Sequence, residues 1–108
     1  MTDANKSELN ISKYTNNLFT GIAELIRNVQ KKVAISLNSE TSILYWSIGN
    51  YINTNLKASG QIKYGSTIIA TLSQQLTNSF GKGYTYTALT RMCKVADKFD
   101  EENIASLS

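Results

Sequence analysis

Tyr64–Phe99 reads YGSTIIATLSQQLTNSFGKGYTYTALTRMCKVADKF, and this stretch decides the fold. Its first half places Ile68, Ile69, Leu72, Leu76 and Phe80 at spacings of one, three and four, the stripe of an amphipathic helix. Its second half repeats the pattern with Leu89, Met92, Ala96 and Phe99, which predicts an inward seam. Gly81-Lys82-Gly83-Tyr84 separates the two, with Gly81 as a left-handed stop for the first helix. Thr85 is the expected N-cap of the second, with Tyr84 and Leu89 placed to form a hydrophobic staple across it. Ser66 is the expected cap at the other end of the hairpin. Two amphipathic helices joined by a glycine-bearing turn make a helix-turn-helix, a unit whose second helix often enters a DNA groove.

Upstream, Leu18, Ile22, Leu25, Ile26, Val29, Val33 and Leu37 mark one long helical face, and Ile43, Leu44, Ile48, Tyr51, Ile52 and Leu56 mark another. The polar run Leu37–Ser42 between them is read either as a break, with Ser39 as a cap, or as a kink in one longer helix. Gly60 reads as a C-terminal stop, and residues 1–12 as a polar, flexible N-terminus. The expectation is an all-α domain over residues 13–108, a bundle of four or five helices that includes the helix-turn-helix-like hairpin. A chain of 108 residues without a proline has nothing to interrupt such helices, and it is long enough for one modest core.

Composition narrows the chemistry. With 42% hydrophobic and 18% charged residues the chain is built to fold as an ordinary globular domain. No apolar run approaches the roughly 20 residues that cross a bilayer, so no membrane partner is expected. The absence of histidine removes the commonest general base, and with Cys93 as the single cysteine no zinc site and no internal disulfide is expected. The reducing cytoplasm is the expected compartment. No activated serine and no organised carboxylate pair stands out, so neither catalysis, cofactor nor small-molecule substrate is expected.

Three features imitate chemistry. Gly81-Lys82-Gly83 lacks the strand and spacing of a phosphate-binding loop and is better read as a turn. Cys93 beside Lys94 has no histidine to activate it and reads as a packing residue. Asp97, Asp100, Glu101 and Glu102 read as a solvated acidic helix end rather than a metal cluster. Trp46 and Tyr45 offer aromatic rings for stacking, but Trp46, beside Ile43 and Ile48, is assigned to the core.

Charge points the other way. Residues 60–98 carry Lys63, Lys82, Arg91, Lys94 and Lys98 against Asp97 alone, a balance of +4 within a chain of net +3. The expected nucleic-acid-binding residues are Tyr86, Thr87, Thr90, Arg91 and Lys94 on the last helix. Lys82 and Lys63 are assigned to phosphates. Arg91 alone among them offers the fork that pairs with guanine. Against this stands a solvated helix face with no partner.

Several blocks occur in fixed order: Leu44-Tyr45-Trp46-Ser47-Ile48-Gly49, Tyr64-Gly65, Leu72-Ser73-Gln74-Gln75-Leu76, Phe80-Gly81-Lys82-Gly83-Tyr84-Thr85 and Ala88-Leu89-Thr90-Arg91-Met92. Together they resemble the N-terminal domain of the YhcG-like bacterial family, over roughly residues 18–108. The resemblance implies a helical, helix-turn-helix-related domain that usually precedes a nuclease domain of the PD-(D/E)XK type. It implies, too, that Ile104–Ser108 begins the family's next segment, so that this chain is a fragment of a longer protein. Family members often carry arginines in the first turns of the last helix, where this chain has Tyr86, Thr87, Ala88 and Thr90. Non-catalytic DNA recognition, weak in the isolated domain, is the leading expectation. The alternative is a helical assembly module that pairs with a second copy through the stripe from Leu18 to Leu37.

Overall fold

The computed structural model describes residues 3–32 and 38–100. Four helices follow in order: α1 (Asp3–Lys32), α2 (Asn38–Ser59), α3 (Gly65–Phe80) and α4 (Tyr86–Lys98), with one turn of 3-10 helix at Ile62–Tyr64. Among the described residues there is no strand, and the domain is all-α. The core follows the apolar stripes: Leu18, Ile22 and Ile26 from α1, Leu44, Ile48, Ile52 and Leu56 from α2, Ile68, Leu72 and Leu76 from α3, and Leu89 and Met92 from α4. Val33 and Leu37 of the first stripe lie outside the described residues, as does the segment from Glu101 to Ser108. Two separate helices stand where one kinked helix was the other option, and Ser39 lies inside α2 rather than before it.

The helical backbone of α1 runs from Asp3, well ahead of the first stripe residue. Ile11 and Tyr14 pack partly against the core, and the buried Thr15 hydroxyl donates to the Ile11 carbonyl at 2.8 Å. Ser59 donates to the Tyr14 hydroxyl at 2.9 Å, and Gly21 lies directly against Tyr51, so α1 and α2 run antiparallel. Gln75 donates to Asn16 at 2.8 Å while Arg27 sits 5.7 Å from the centre of the Phe80 ring, so α3 runs alongside α1 in the same direction. Leu18, Ile22 and Ile26 of the first stripe are buried inside the protomer.

Glycines end two of these helices by different routes. At Gly60, φ +70, the Gly60 N–H reaches the Lys57 carbonyl and the Gln61 N–H reaches the Leu56 carbonyl, a Schellman closure. Gly81 has φ 84 and ψ −160, outside the left-handed helical basin and in a region that only glycine occupies freely. Its N–H still satisfies the Thr77 carbonyl before the chain turns sharply away. At the start of α3 the expectation of a Ser66 cap fails. The 3-10 turn leads directly into Gly65, Tyr64 holds the cap position, and no side chain caps the helix.

Candidate nucleic-acid interface

The last helix is fixed at its start by its own sequence. The Thr85 hydroxyl accepts from the Ala88 N–H at 3.1 Å, and Tyr84 and Leu89, either side of the cap, are both buried. Burial, followed by the nearby Tyr45 phenol, raises the Tyr84 hydroxyl above its ordinary pKa.

From there α4 lies across α2 more than along α3. Gly49 brings the two backbones together at Met92 and Cys93. On one flank of α4 the Asn53 amide donates to the Cys93 carbonyl at 2.8 Å, and Lys57 meets Asp97 at 3.6 Å. On the other, the Trp46 indole N–H donates to the Phe99 carbonyl at 2.6 Å. α4 thus passes over α2 with its closest approach at Gly49.

This crossing settles which face of α4 looks outward. At about 100° per residue, Thr87, Arg91, Lys94 and Lys98 fall within an arc of about 60°, opposite Leu89, Met92 and Ala96. All four are exposed. Three cations share this strip, while Asp97, the one acid of α4, is turned aside toward Lys57. The outward face of α4 is basic along its length.

The expected site residues divide accordingly. Arg91, Lys94 and Thr87 come together on the strip, and Tyr86 and Lys82 flank its start, Tyr86 44% exposed and Lys82 in the turn. Thr90 is half-buried, and its hydroxyl donates to the Tyr86 carbonyl at 2.8 Å, so it serves the helix backbone. Lys63 is not part of this face. It lies before α3, Lys82 lies after it, and those helix ends are about 24 Å apart at about 1.5 Å per residue. Lys63 rests instead 5.1 Å from the centre of the Tyr64 ring. Lys98 was missed, although its spacing of four from Lys94 and seven from Arg91 is the signal that places it.

Two further expectations need correction. Phe99 is not the end of the inward seam: α4 stops at Lys98, Phe99 is extended with φ −127 and ψ 146, and its side chain is 42% exposed. Trp46 is not enclosed in the core. It is half-buried and forms one wall of a groove of about 360 Å³ between α2 and α4, with Tyr45, Ala88, Met92 and Val95. Arg91 stands on that groove's rim, so one side chain belongs to both the basic strip and the groove.

Cys93 packs half-buried beside Asn53. Burial, and after it the Asp97 carboxylate, push its thiol up to about 11, away from the thiolate a nucleophile needs. Among the described residues no three of Cys, Asp and Glu gather as metal ligands, and no helix is long and apolar enough to cross a membrane.

Fold and surface define a small all-α domain whose glycine-turned hairpin presents a basic helix. The chain belongs to the DUF1016 N-terminal domain family, whose profile matches residues 21–108. This is the family that the YhcG-like blocks point to. No curated relative and no solved structure matches the chain.

Proposed function

We propose that this domain is a non-catalytic DNA-recognition module that lays the outward face of α4 against a duplex. The observation that carries the reading is the strip Thr87–Arg91–Lys94–Lys98, three cations and a hydroxyl on one exposed helix face with no acid among them. Lysines and arginines at this spacing meet successive phosphates, and Arg91, Lys94 and Lys98 are each assigned to one. With about three phosphate contacts the affinity is low and steeply salt-dependent. Within a longer protein the domain acts as the targeting half of a PD-(D/E)XK nuclease-like enzyme working in the bacterial cytoplasm. The family resemblance supports that context, and a downstream coding segment with an acidic pair and a glutamate-x-lysine tests it.

The direct test is fluorescence anisotropy of a labelled duplex over a range of salt. The parent chain binds at low salt, and each lost phosphate contact flattens the log–log salt slope by about 0.9. Replacing Arg91, Lys94 and Lys98 together by alanine is expected to remove about 2.7 from that slope, while Lys63→Ala leaves it as it was. A parent chain that binds no duplex at low salt, or a triple variant with an unaltered slope, refutes the assignment.

A further inference from the structure

The geometry points to the groove between α2 and α4 as a pocket for one unpaired nucleobase of the same DNA, an inference that rests on the DNA-recognition reading. The groove opens on the flank of α4, directly beside the basic strip, and Arg91 lines both. A polyanion drawn along Arg91, Lys94 and Lys98 passes the groove's mouth, whereas a basic or neutral partner gains nothing from that placement. The charge at the rim therefore selects a nucleic acid over an apolar peptide.

The walls suit a base. Trp46 and Tyr45 supply two aromatic side chains from one turn of α2, and Tyr45 is 39% exposed. The Trp46 ring is held by its N–H bond to the Phe99 carbonyl, so its plane is set before any ligand arrives. Met92 and Val95 form the opposing apolar wall, and Gly83 leaves one edge of the mouth without a side chain. A volume of about 360 Å³ lies at the small end of ligand pockets, enough for a single flat ring system but not for a folded segment. Stacking on aromatic side chains tolerates any base, because every base presents a π-face, and the Arg91 guanidinium is placed to hold the phosphate beside it. The substrate class this defines is duplex DNA with a single-stranded end, a mismatch or a displaced nucleotide.

Trp46 is the single tryptophan of the chain, so its emission reports on this groove alone. The experiment compares a blunt-ended linear duplex, fully paired, with the same duplex carrying a short single-stranded extension, reading anisotropy of the labelled DNA and Trp46 fluorescence in parallel. The expected result is binding about five-fold tighter or more for the extended duplex, the lower end of what one stacked base contributes. Saturable quenching of Trp46 accompanies that duplex only. Tyr45→Ala, checked for folding by circular dichroism, brings the ratio of the two affinities toward one. Equal affinity for both duplexes with unchanged Trp46 emission overturns the pocket and leaves duplex recognition standing. Failure of both duplexes to bind overturns the two readings together. Trp46 emission that shifts with protein concentration in the absence of DNA assigns the groove to a second copy of the chain and likewise overturns the proposal.

Discussion

The crossing of α4 over α2 positions the basic strip, and Gly49 is the residue on which that crossing depends. A Cβ at position 49 overlaps the Met92 carbonyl and stands 2.9 Å from the Cys93 nitrogen. Both are backbone atoms of a helix, so neither rotates out of the way. Relief requires α4 to withdraw by roughly 1 Å, toward the about 3.5 Å at which nonbonded atoms rest. That movement strains the Asn53 bond to the Cys93 carbonyl and the Trp46 bond to the Phe99 carbonyl, now 2.8 and 2.6 Å. Each contributes about 1 kcal/mol. Overpacking of this kind costs about 1–3 kcal/mol, and backbone partners put Gly49→Ala at the upper end. Against it stands a gain of about 1 kcal/mol from replacing glycine by alanine inside a helix.

The net expectation for Gly49→Ala is a loss of about 2 kcal/mol, which lowers Tm on the order of 10 °C in a chain of this size. Gly21→Ala is the matched control. It has the same helix-propensity gain, but its Cβ meets the hydroxyl end of the half-buried Tyr51 ring, with Cε2 at 3.0 Å. A side-chain tip gives way by a rotamer adjustment, so Gly21→Ala is expected to stay within about 1 kcal/mol of the parent. Urea and thermal melts followed by circular dichroism measure both. Gly49→Ala melting at or above the parent, or the two variants falling equally, refutes the close backbone approach and with it the orientation of α4.

Thr85→Ala removes the acceptor for the Ala88 N–H and is expected to cost about 1 kcal/mol in urea melts, with little change in m-value. Gly60→Ala meets no atom within 4 Å, so its cost is the backbone alone, about 1–2 kcal/mol for a left-handed residue at φ +70. Gly60→Asn is expected to lose less. The Cys93 thiol ionises near 9.0 when unfolded and near 11 in the fold. The folded chain therefore holds that proton longer, and the thiol's contribution to stability is complete below pH 9 and is lost as pH rises toward 11. Cys93→Ala is expected to flatten the pH dependence of stability in that window, and the folded parent at pH 8 to react with a thiol reagent more slowly than the urea-unfolded chain.

What was legible in the sequence was local. Gly81, Thr85 and the stripe Ile68–Leu76 announce the hairpin because a turn, a cap and a helical period each act within a few residues. The start of α1 was not legible, because Asp3–Asn10 has no apolar stripe and is carried as the extension of a helix anchored further on, by Ile11, Tyr14 and Thr15. Ser66 looked like a cap because serine often is one. Here the 3-10 turn at Ile62–Tyr64 already delivers the backbone in helical geometry, and Gly65 at φ −53 and ψ −46 simply continues it. Phe99 kept the period of the α4 seam, but a period counts only while the helix lasts.

The candidate site shows the same boundary from the other side. The spacing of Thr87, Arg91, Lys94 and Lys98 is written in the chain, since helical residues at intervals of four and three share a face whatever surrounds them. Whether that face is free depends on where α4 rests, which is a tertiary fact decided at Gly49. Trp46 is the sharper case. In the chain it stands between Ile43 and Ile48, but Ile48 is about 200° away on the wheel of α2, so the core side of that helix does not enclose the indole. α4 packs over α2 at Gly49 and Asn53, and Trp46, its N–H on the Phe99 carbonyl, is left half-buried as the wall of an open groove. One crossing therefore does two things: it turns Arg91, Lys94 and Lys98 to solvent and leaves the aromatic pair uncovered beside them. A change at Gly49 that rotates α4 must disturb both, so loss of the salt-dependent duplex affinity and a shift of Trp46 emission are expected in the same variant.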